Sequence, residues 1–580
     1  MSNFSRRDFL KKASLGGSLA LAPAVVSAGI ESGLDRHSGG RGLTSFKHGV
    51  ASGDPLADRV IIWTRVDVEA RWLRRARIPV GFVVAEDKKF RRLVRRGVAV
   101  TSRRRDFTVK VDLVGLQPGK TYYYRFNTFT AASPVGTTKT MTSGHLDELK
   151  LAVMSCSNYP AGYFNVYTEA AESGADAVLH LGDYIYEYGV GGYASENADE
   201  IGRGYLPNND TELLTLADYR RRYAQYRSDP GLQALHAACP WICVWDDHEV
   251  ANDAWLDGAE NHQPDEGSWE RRRFVAQKAY FEWLPIRPAE PGNREKIFRS
   301  FSFGDLVDLH MLDTRLIGRD EQLNYANYFP DAVTFDVVSF LADIGNPDRT
   351  ILGDEQLAWL QGKLATSTGL YQVLGQQVLM GKMEIPAELL AGLVNPDPAL
   401  FAQLAELATL KGRFLAGDPT LTPEEIARIS TTLPYNLDAW DGYPVEREKV
   451  YGAARLADQN VVVLAGDTHN SWANDLIDVT GTPIGVEFAT ASVSSPGLEG
   501  VLGLDALTAP PAEQVLEVLI DRLKYTNVLD RGFMTVTFSR EQALAEWTYV
   551  DNILSPDYNV IAERSRRLRM RPGVRTIESA

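Results

Sequence analysis

The sequence predicts an α/β protein that carries a smaller all-β domain at its front. Three observations predict this. Short strands parted by turns run from Phe46 to about Thr142, and an alternation of apolar strand, polar loop and helix follows from Leu151. The composition, 44% hydrophobic and 24% charged over 580 residues, is that of a globular chain of two or three domains and excludes bulk disorder and fibrous repeats. The net charge of -15, from 61 Lys and Arg against 76 Asp and Glu, repels a phosphate backbone, so no stable nucleic-acid partner is expected.

Taken in order, Ser5-Arg6-Arg7-Asp8-Phe9-Leu10-Lys11-Lys12 reads as the basic region of a twin-arginine export signal, followed by the weakly apolar Ala13 to Val26 and the small residues Val26-Ser27-Ala28. The signal is assigned to residues 1–28, with a Gly- and Ser-rich linker at 29–44. A periplasmic or secreted protein exported by the twin-arginine translocon is therefore expected. No transmembrane anchor is expected, because no apolar run reaches the ~20 residues of a membrane span. Residues 45–145 are assigned to a β-sandwich through strands such as Val60–Thr64, Val80–Val84, Phe107–Val111 and Thr121–Phe126. Leu116-Gln117-Pro118-Gly119-Lys120-Thr121 resembles the turn and strand of fibronectin type III modules. The basic residues between Lys88 and Arg105 are read first as a charge-guarded strand edge and second as a landing patch for an anionic polymer. The α/β domain is placed at about 150–560, with a Leu- and Ala-rich helical insertion at about 384–433, and the basic tail 561–580 is expected to fray. Three cysteines are too few for a disulfide framework. Cys239 and Cys243, read as lying on one strand ~13 Å apart, are too far apart to pair.

Four apolar strands end in residues that bind metals or move protons. Leu151–Met154 runs into Ser155-Cys156, Ala177–Leu181 into Gly182-Asp183-Tyr184-Ile185-Tyr186, Trp241–Trp245 into Asp246-Asp247-His248, and Val461–Ala465 into Gly466-Asp467-Thr468-His469. Ligands gather outside the carboxyl ends of such strands, so these loops are expected to share one crevice. Cys156, Tyr186 and His469 offer thiolate, phenolate and imidazole, a set suited to an oxidised transition metal. Asp183, Asp247, Asn252 and Asp467 offer hard oxygens suited to calcium, magnesium or manganese.

These motifs resemble the PhoD-type alkaline phosphatases and phosphodiesterases within the calcineurin-like metallophosphoesterases. The resemblance also rests on Gly49-Val50-Ala51-Ser52-Gly53-Asp54-Pro55, Leu312-Asp313-Thr314-Arg315 and Asn436-Leu437-Asp438-Ala439-Trp440-Asp441-Gly442-Tyr443, and it covers nearly the whole chain. It implies a two-sheet metallophosphoesterase sandwich flanked by helices behind the fibronectin III-like domain. It implies hydrolysis of a phosphate ester, whether small molecule, phospholipid or polymer, by a metal-activated hydroxide. It implies Fe3+ and one or two Ca2+, other divalent cations being possible, with Cys156, Asp183, Tyr186 and His469 around iron and Asp183 shared with calcium. Asp247 and Asp467 are implied on the calcium side, with Asn252 beside them and Asp246 as the alternative to its neighbour. The Asp246-Asp247-His248 and Asp467-Thr468-His469 variants of the superfamily pattern favour a hard second cation over zinc. His248 is expected to deliver a proton to the leaving oxygen or to hold the phosphate. Arg315 is expected to grip a phosphate oxygen or, equally, to pair with Asp313. A monomer is expected. The alternatives are a phospholipase D-like enzyme and a non-catalytic, metal-containing binder of phosphate-bearing polymers.

Overall fold

The computed structural model describes residues 43–330, 334–390 and 399–580, so the expected signal peptide and nearly all of the linker lie outside the described residues. The chain divides into two compact units. In the N-terminal unit the strands are β1 (Val50–Gly53), β2 (Arg59–Arg65), β3 (Ile78–Ala85), β4 (Leu93–Thr101), β5 (Thr108–Val114), β6 (Thr121–Asn127) and β7 (Gly136–Lys139). β4-β3-β6-β7 form one antiparallel sheet and β1-β2-β5 run antiparallel in a second. Strand alternation sends Val60 and Ile62 of β2, Val80 and Val84 of β3, and Tyr122, Tyr124 and Phe126 of β6 into one shared core.

Beyond the expected 45–145 stretch, the unit also takes in Tyr223–Trp241 and Ala279–Arg287. The physical reason is a set of polar contacts that adjacency in sequence cannot reveal. Arg227 lies over the Trp63 ring at 4.6 Å, and Arg287 reaches Asp112 at 2.8 Å and the Asp54 carbonyl at 3.0 Å. Cys239 follows the helix Pro230–Ala238 rather than lying on a strand, and all three cysteines are free and buried.

The second unit contains β8 (Glu148–Met154), β9 (Ala177–His180), the end of β10 (Trp241–Cys243), β11 (Arg299–Phe303), β12 (Val307–Met311), β13 (Tyr371–Gly375), β14 (Val461–Ala465), β15 (Ser471–Ile477), β16 (Pro483–Ala489), β17 (Leu523–Asn527), β18 (Arg531–Ser539), β19 (Ala543–Val550) and β20 (Arg566–Met570). One sheet carries β20-β19-β18-β8-β9, with β8 and β9 parallel. The other runs β11-β12-β13-β14-β16-β15-β17, with β12, β13, β14 and β16 parallel. β9 and β14 are buried at every position, as expected of parallel strands covered on both faces, which explains their unbroken apolar runs. The carboxyl ends of β8, β9 and β14 therefore open into loops rooted in rigid core.

Within the 384–433 stretch, Glu384–Pro386 pairs with Thr432–Pro434, and between them lie the helices Ala399–Leu415 and Pro423–Ser430. The second of these begins with a capping box of Thr422 and Glu425, a local signal that fixes its start. The tail does not fray. β20 pairs with β19, Glu578–Ser579 pairs with β20, and Arg564 is held by Glu513 and Asp530. Its arginines find carboxylates, which removes the charge repulsion that a run of basic residues suggests.

Candidate metal centre

Three of the four strand-end loops turn sharply. Cys156, Asp183, Asp467 and His469 have φ of 61°, 56°, 63° and 63°. A non-glycine residue in this left-handed region costs of order 1 kcal/mol, and such residues cluster where a side chain has to be aimed. Glycines make the close approaches. A Cβ at Gly182 would strike Asp246, and one at Gly466 would lie 2.5 Å from Ser155 Oγ. Buried Glu249 ties two of the loops together by accepting from the backbone N–H groups of Asp183 (3.0 Å), Tyr184 (2.6 Å) and Asp246 (2.7 Å). Burial, with Asp183 nearby, pushes Glu249 up to about 8.

The side chains form a linked series. Cys156, Asp183 and His469 bring one donor atom each within 4.8 Å of one another, as do Asp183, Asp247 and His248, and Asp246, Asp247 and Asp467. Asp183 belongs to the first two groups and Asp247 to the last two, so one carboxylate is placed to bridge each adjacent pair. Tyr186 sits at the sulfur end, donating to Asp183 Oδ2 at 3.0 Å with its oxygen 3.1 Å from His469 Nε2. His469 Nδ1 faces the Pro496 carbonyl at 2.5 Å and so carries the proton, which leaves Nε2 as the lone-pair nitrogen turned toward Tyr186 and Asp183.

The donor set fits a cation centre. Asp183 Oδ1 and Asp246 Oδ2 are buried and have no hydrogen-bond partner, a costly state that a positive ion relieves. Burial drives the Cys156 thiol and the Tyr186 phenol well above their ordinary values, so both ionise only beside a strong positive charge. Burial likewise raises Asp467 and Asp253 to about 7 and Asp246 well above the carboxylate range. Asp247 differs: burial opposes its charge, but Arg315 and His248 hold it down at about 2. Burial also opposes charge on His248, yet Asp247, Glu187 and Asp183 outweigh it and keep the ring an imidazolium well above its ordinary range. Its Nδ1 donates to Glu187 Oε2 at 2.7 Å, and the other Glu187 oxygen accepts from Asn252 N (2.8 Å) and Asn261 Nδ2 (2.7 Å).

One sequence expectation is corrected. Arg315 pairs with neither Asp313 nor open space. Its fully buried guanidinium donates to Asp246 at 2.6 Å, Asp438 at 2.7 Å and Asp467 at 2.9 Å, and Asp313 instead accepts the Arg315 backbone N–H at 3.0 Å. All three of these guanidinium donors are turned on carboxylates. The Asn252 Nδ2 donates to Glu260 at 3.3 Å, while the neighbouring Asp253 feels the charges of Asp438, Asp247 and Asp467.

Sequence reasoning missed Asp253, Asp438, Glu187, Glu249 and Tyr193. Asp438 stood inside a quoted motif and Glu187 directly follows one, but nothing local marked them as partners of Arg315 and His248. Tyr193, whose hydroxyl lies 3.1 Å from His469 Nδ1 and 2.5 Å from the Pro496 carbonyl, sits in an irregular loop without any pattern. Gln377 donates to the Trp245 and Leu312 carbonyls and accepts from Thr314, joining three loops beneath the site.

The profile of PhoD-like phosphatases matches residues 151–547, and that of the PhoD-like phosphatase N-terminal domain matches residues 35–142. The chain is 34% identical over 516 residues to alkaline phosphatase D of Bacillus subtilis (strain 168), covering 86% of this chain and 77% of that protein. A solved structure of PhoD superposes with a TM-score of 0.74 at 31% identity, covering 94% of this chain and 93% of the other.

Proposed function

From the premise that the chain belongs to the PhoD-like phosphatase family, and is thus a hydrolase of phosphate-ester bonds, we propose that it is an exported enzyme working with Fe3+ and one or two Ca2+. The observation that carries this reading is the linked series of donor groups, in which Asp183 joins a Cys156–His469 end to an all-carboxylate end through Asp247. The sulfur, phenol and imidazole end suits iron, with Cys156, Asp183, Tyr186 and His469 as its ligands. Asp246, Asp247, Asp467 and Asp253 suit a hard cation. When bound, the cations supply Lewis acidity and a water of lowered pKa.

The chain's own residues supply the rest. His248 gives Nδ1–H to Glu187, so Nε2–H is the proton left for a departing alkoxide or aryloxide. Arg315 holds Asp246, Asp438 and Asp467 at fixed separation, and Glu249 fixes the turn that carries Asp183. Every proposed ligand comes from the same unit of one chain, which supports action as a monomer. The Arg6-Arg7 leader supports export, and no helix among the described residues is long and apolar enough to cross a membrane.

Protein purified from the exporting host is expected to contain iron and calcium by elemental analysis. Chelation should lower turnover of p-nitrophenyl phosphate at least ~100-fold, with recovery on adding both ions. Full turnover after complete chelation would refute the metal reading. The pair Arg6→Lys and Arg7→Lys is expected to leave the precursor in the cytoplasm; normal export of that variant would refute the twin-arginine route.

A further inference from the structure

Charge is distributed very unevenly along this chain. Residues 71–105 hold thirteen Lys and Arg against only Glu86 and Asp87, while the remaining 48 Lys and Arg stand against 74 Asp and Glu. In the N-terminal unit the β4 part of this segment, Leu93–Thr101, forms the free edge of a sheet, since β4 is the terminal strand in the order β4-β3-β6-β7. Arg92 pairs with Glu86 at 3.4 Å, and Arg95 gives its guanidinium to the carbonyls of Val114 (3.2 Å) and Gly115 (2.6 Å). Arg71, Arg74, Arg75, Arg96, Arg103 and Arg105 are exposed, and none has a carboxylate within ion-pair distance among the described residues.

Large apolar side chains stand among these arginines. Trp72 is 37% exposed, Leu93 51%, Val98 39% and Val100 47%. The register sets Arg96 opposite Val83, Val98 opposite Gly81 and Val100 opposite Pro79, so the three share the outward face, whereas Ala99, opposite Val80, packs toward the core. Guarding a strand edge needs one or two charges and no exposed valines. Arg95 already covers backbone along that edge, and Arg71, Arg74, Arg75, Arg103 and Arg105 lie off the strand.

We propose that this Arg-rich, apolar-studded edge of the N-terminal unit is a docking surface for an anionic lipid bilayer. Guanidinium groups pair with lipid phosphates, while Trp72, Leu93, Val98 and Val100 enter the headgroup and upper acyl region. A hydrophilic polyanion satisfies the arginines but offers nothing to the apolar side chains, which is why the bilayer is the preferred occupant. An arginine near an anionic leaflet strengthens partitioning about fivefold, and salt screens the attraction.

The test is sedimentation of the full chain with phosphatidylcholine vesicles, with and without phosphatidylglycerol, at low and high salt. Binding is expected only to the phosphatidylglycerol vesicles and only at low salt. The quadruple variant Arg71→Gln, Arg74→Gln, Arg96→Gln, Arg105→Gln is expected to bind several-hundredfold more weakly. The pair Val98→Ser and Val100→Ser is expected to lose vesicle binding several-fold while binding to long-chain polyphosphate stays unchanged. Turnover of a soluble aryl phosphate and the melting point are expected to match the parent in both variants, which certifies folding. Equal binding to both vesicle types, or parent-like binding by the quadruple variant, would overturn the assignment. So would polyphosphate binding without vesicle binding, which would give the surface to a soluble polymer.

Discussion

Replacing Arg315 by Met separates a ligand-organising role from a phosphate-gripping one. The variant takes the guanidinium away from Asp246, Asp438 and Asp467, now at 2.6, 2.7 and 2.9 Å from it, and leaves only Asp438 with another arginine partner, Arg319. Removing one partner of a buried ion pair typically costs ~3–5 kcal/mol. For a unit this large that corresponds to a fall in melting point of roughly 4–6 °C for the metal-free protein, measured by calorimetry. If calcium is the hard cation, it neutralises Asp246 and Asp467 and is expected to raise the variant's melting point more than the parent's. Saturating calcium should then restore much of kcat, with KM for an aryl phosphate changed only a few-fold. A guanidinium bound to substrate phosphate predicts the reverse: KM raised tenfold or more, from the loss of ~1.5–3 kcal/mol of charged hydrogen bonding, at unchanged metal content and melting point. That result would refute the organising role.

Glu187→Gln replaces the carboxylate that holds the His248 imidazolium, removing ~1.5–3 kcal/mol of preference for the charged ring. If protonated His248 is the active form, rate is lost as pH rises. The alkaline limb of kcat should therefore move to lower pH by roughly one to two units at ~1.4 kcal/mol per unit; a uniform drop with an unmoved limb would count against the proton-donor role. Fully buried His180 is lowered to about 3 by desolvation, so its contribution to stability is intact above pH 6.5 and is lost as pH falls toward 3, because the unfolded chain takes up the proton first. Urea unfolding is expected to show that lowering pH from 6.5 to 5 costs the parent roughly 2 kcal/mol more than it costs His180→Gln. Equal losses in the two proteins would show that His180 does not titrate on unfolding.

Much of the site was legible because its residues follow strands whose apolar runs are themselves visible in sequence. A buried parallel strand such as β14 has no polar face, so the first polar residues after it mark its carboxyl end, and those are Asp467 and His469. The remainder depended on three dimensions. Arg315 meets Asp438 and Asp467 across 123 and 152 residues, and no periodicity in a loop distinguishes Asn252 from Asp253. The tail was misread because basic residues counted along the chain repel, whereas folded beside Glu513, Asp530 and Glu578 they are paired. Two segments beyond residue 220 that pack into the N-terminal unit carry no sequence signal of that placement.

The left-handed backbone at Cys156, Asp183, Asp467 and His469 also restricts which sequences this centre can explore. Asn, Asp and His tolerate that conformation better than most residues, while valine, isoleucine and threonine are nearly barred from it. Substitutions that keep the turn therefore interchange oxygen and nitrogen donors. Drift at these positions will retune which ion is preferred far more readily than it will abolish coordination, and a laboratory search for altered metal preference can begin with Asp, Asn and His at those four sites.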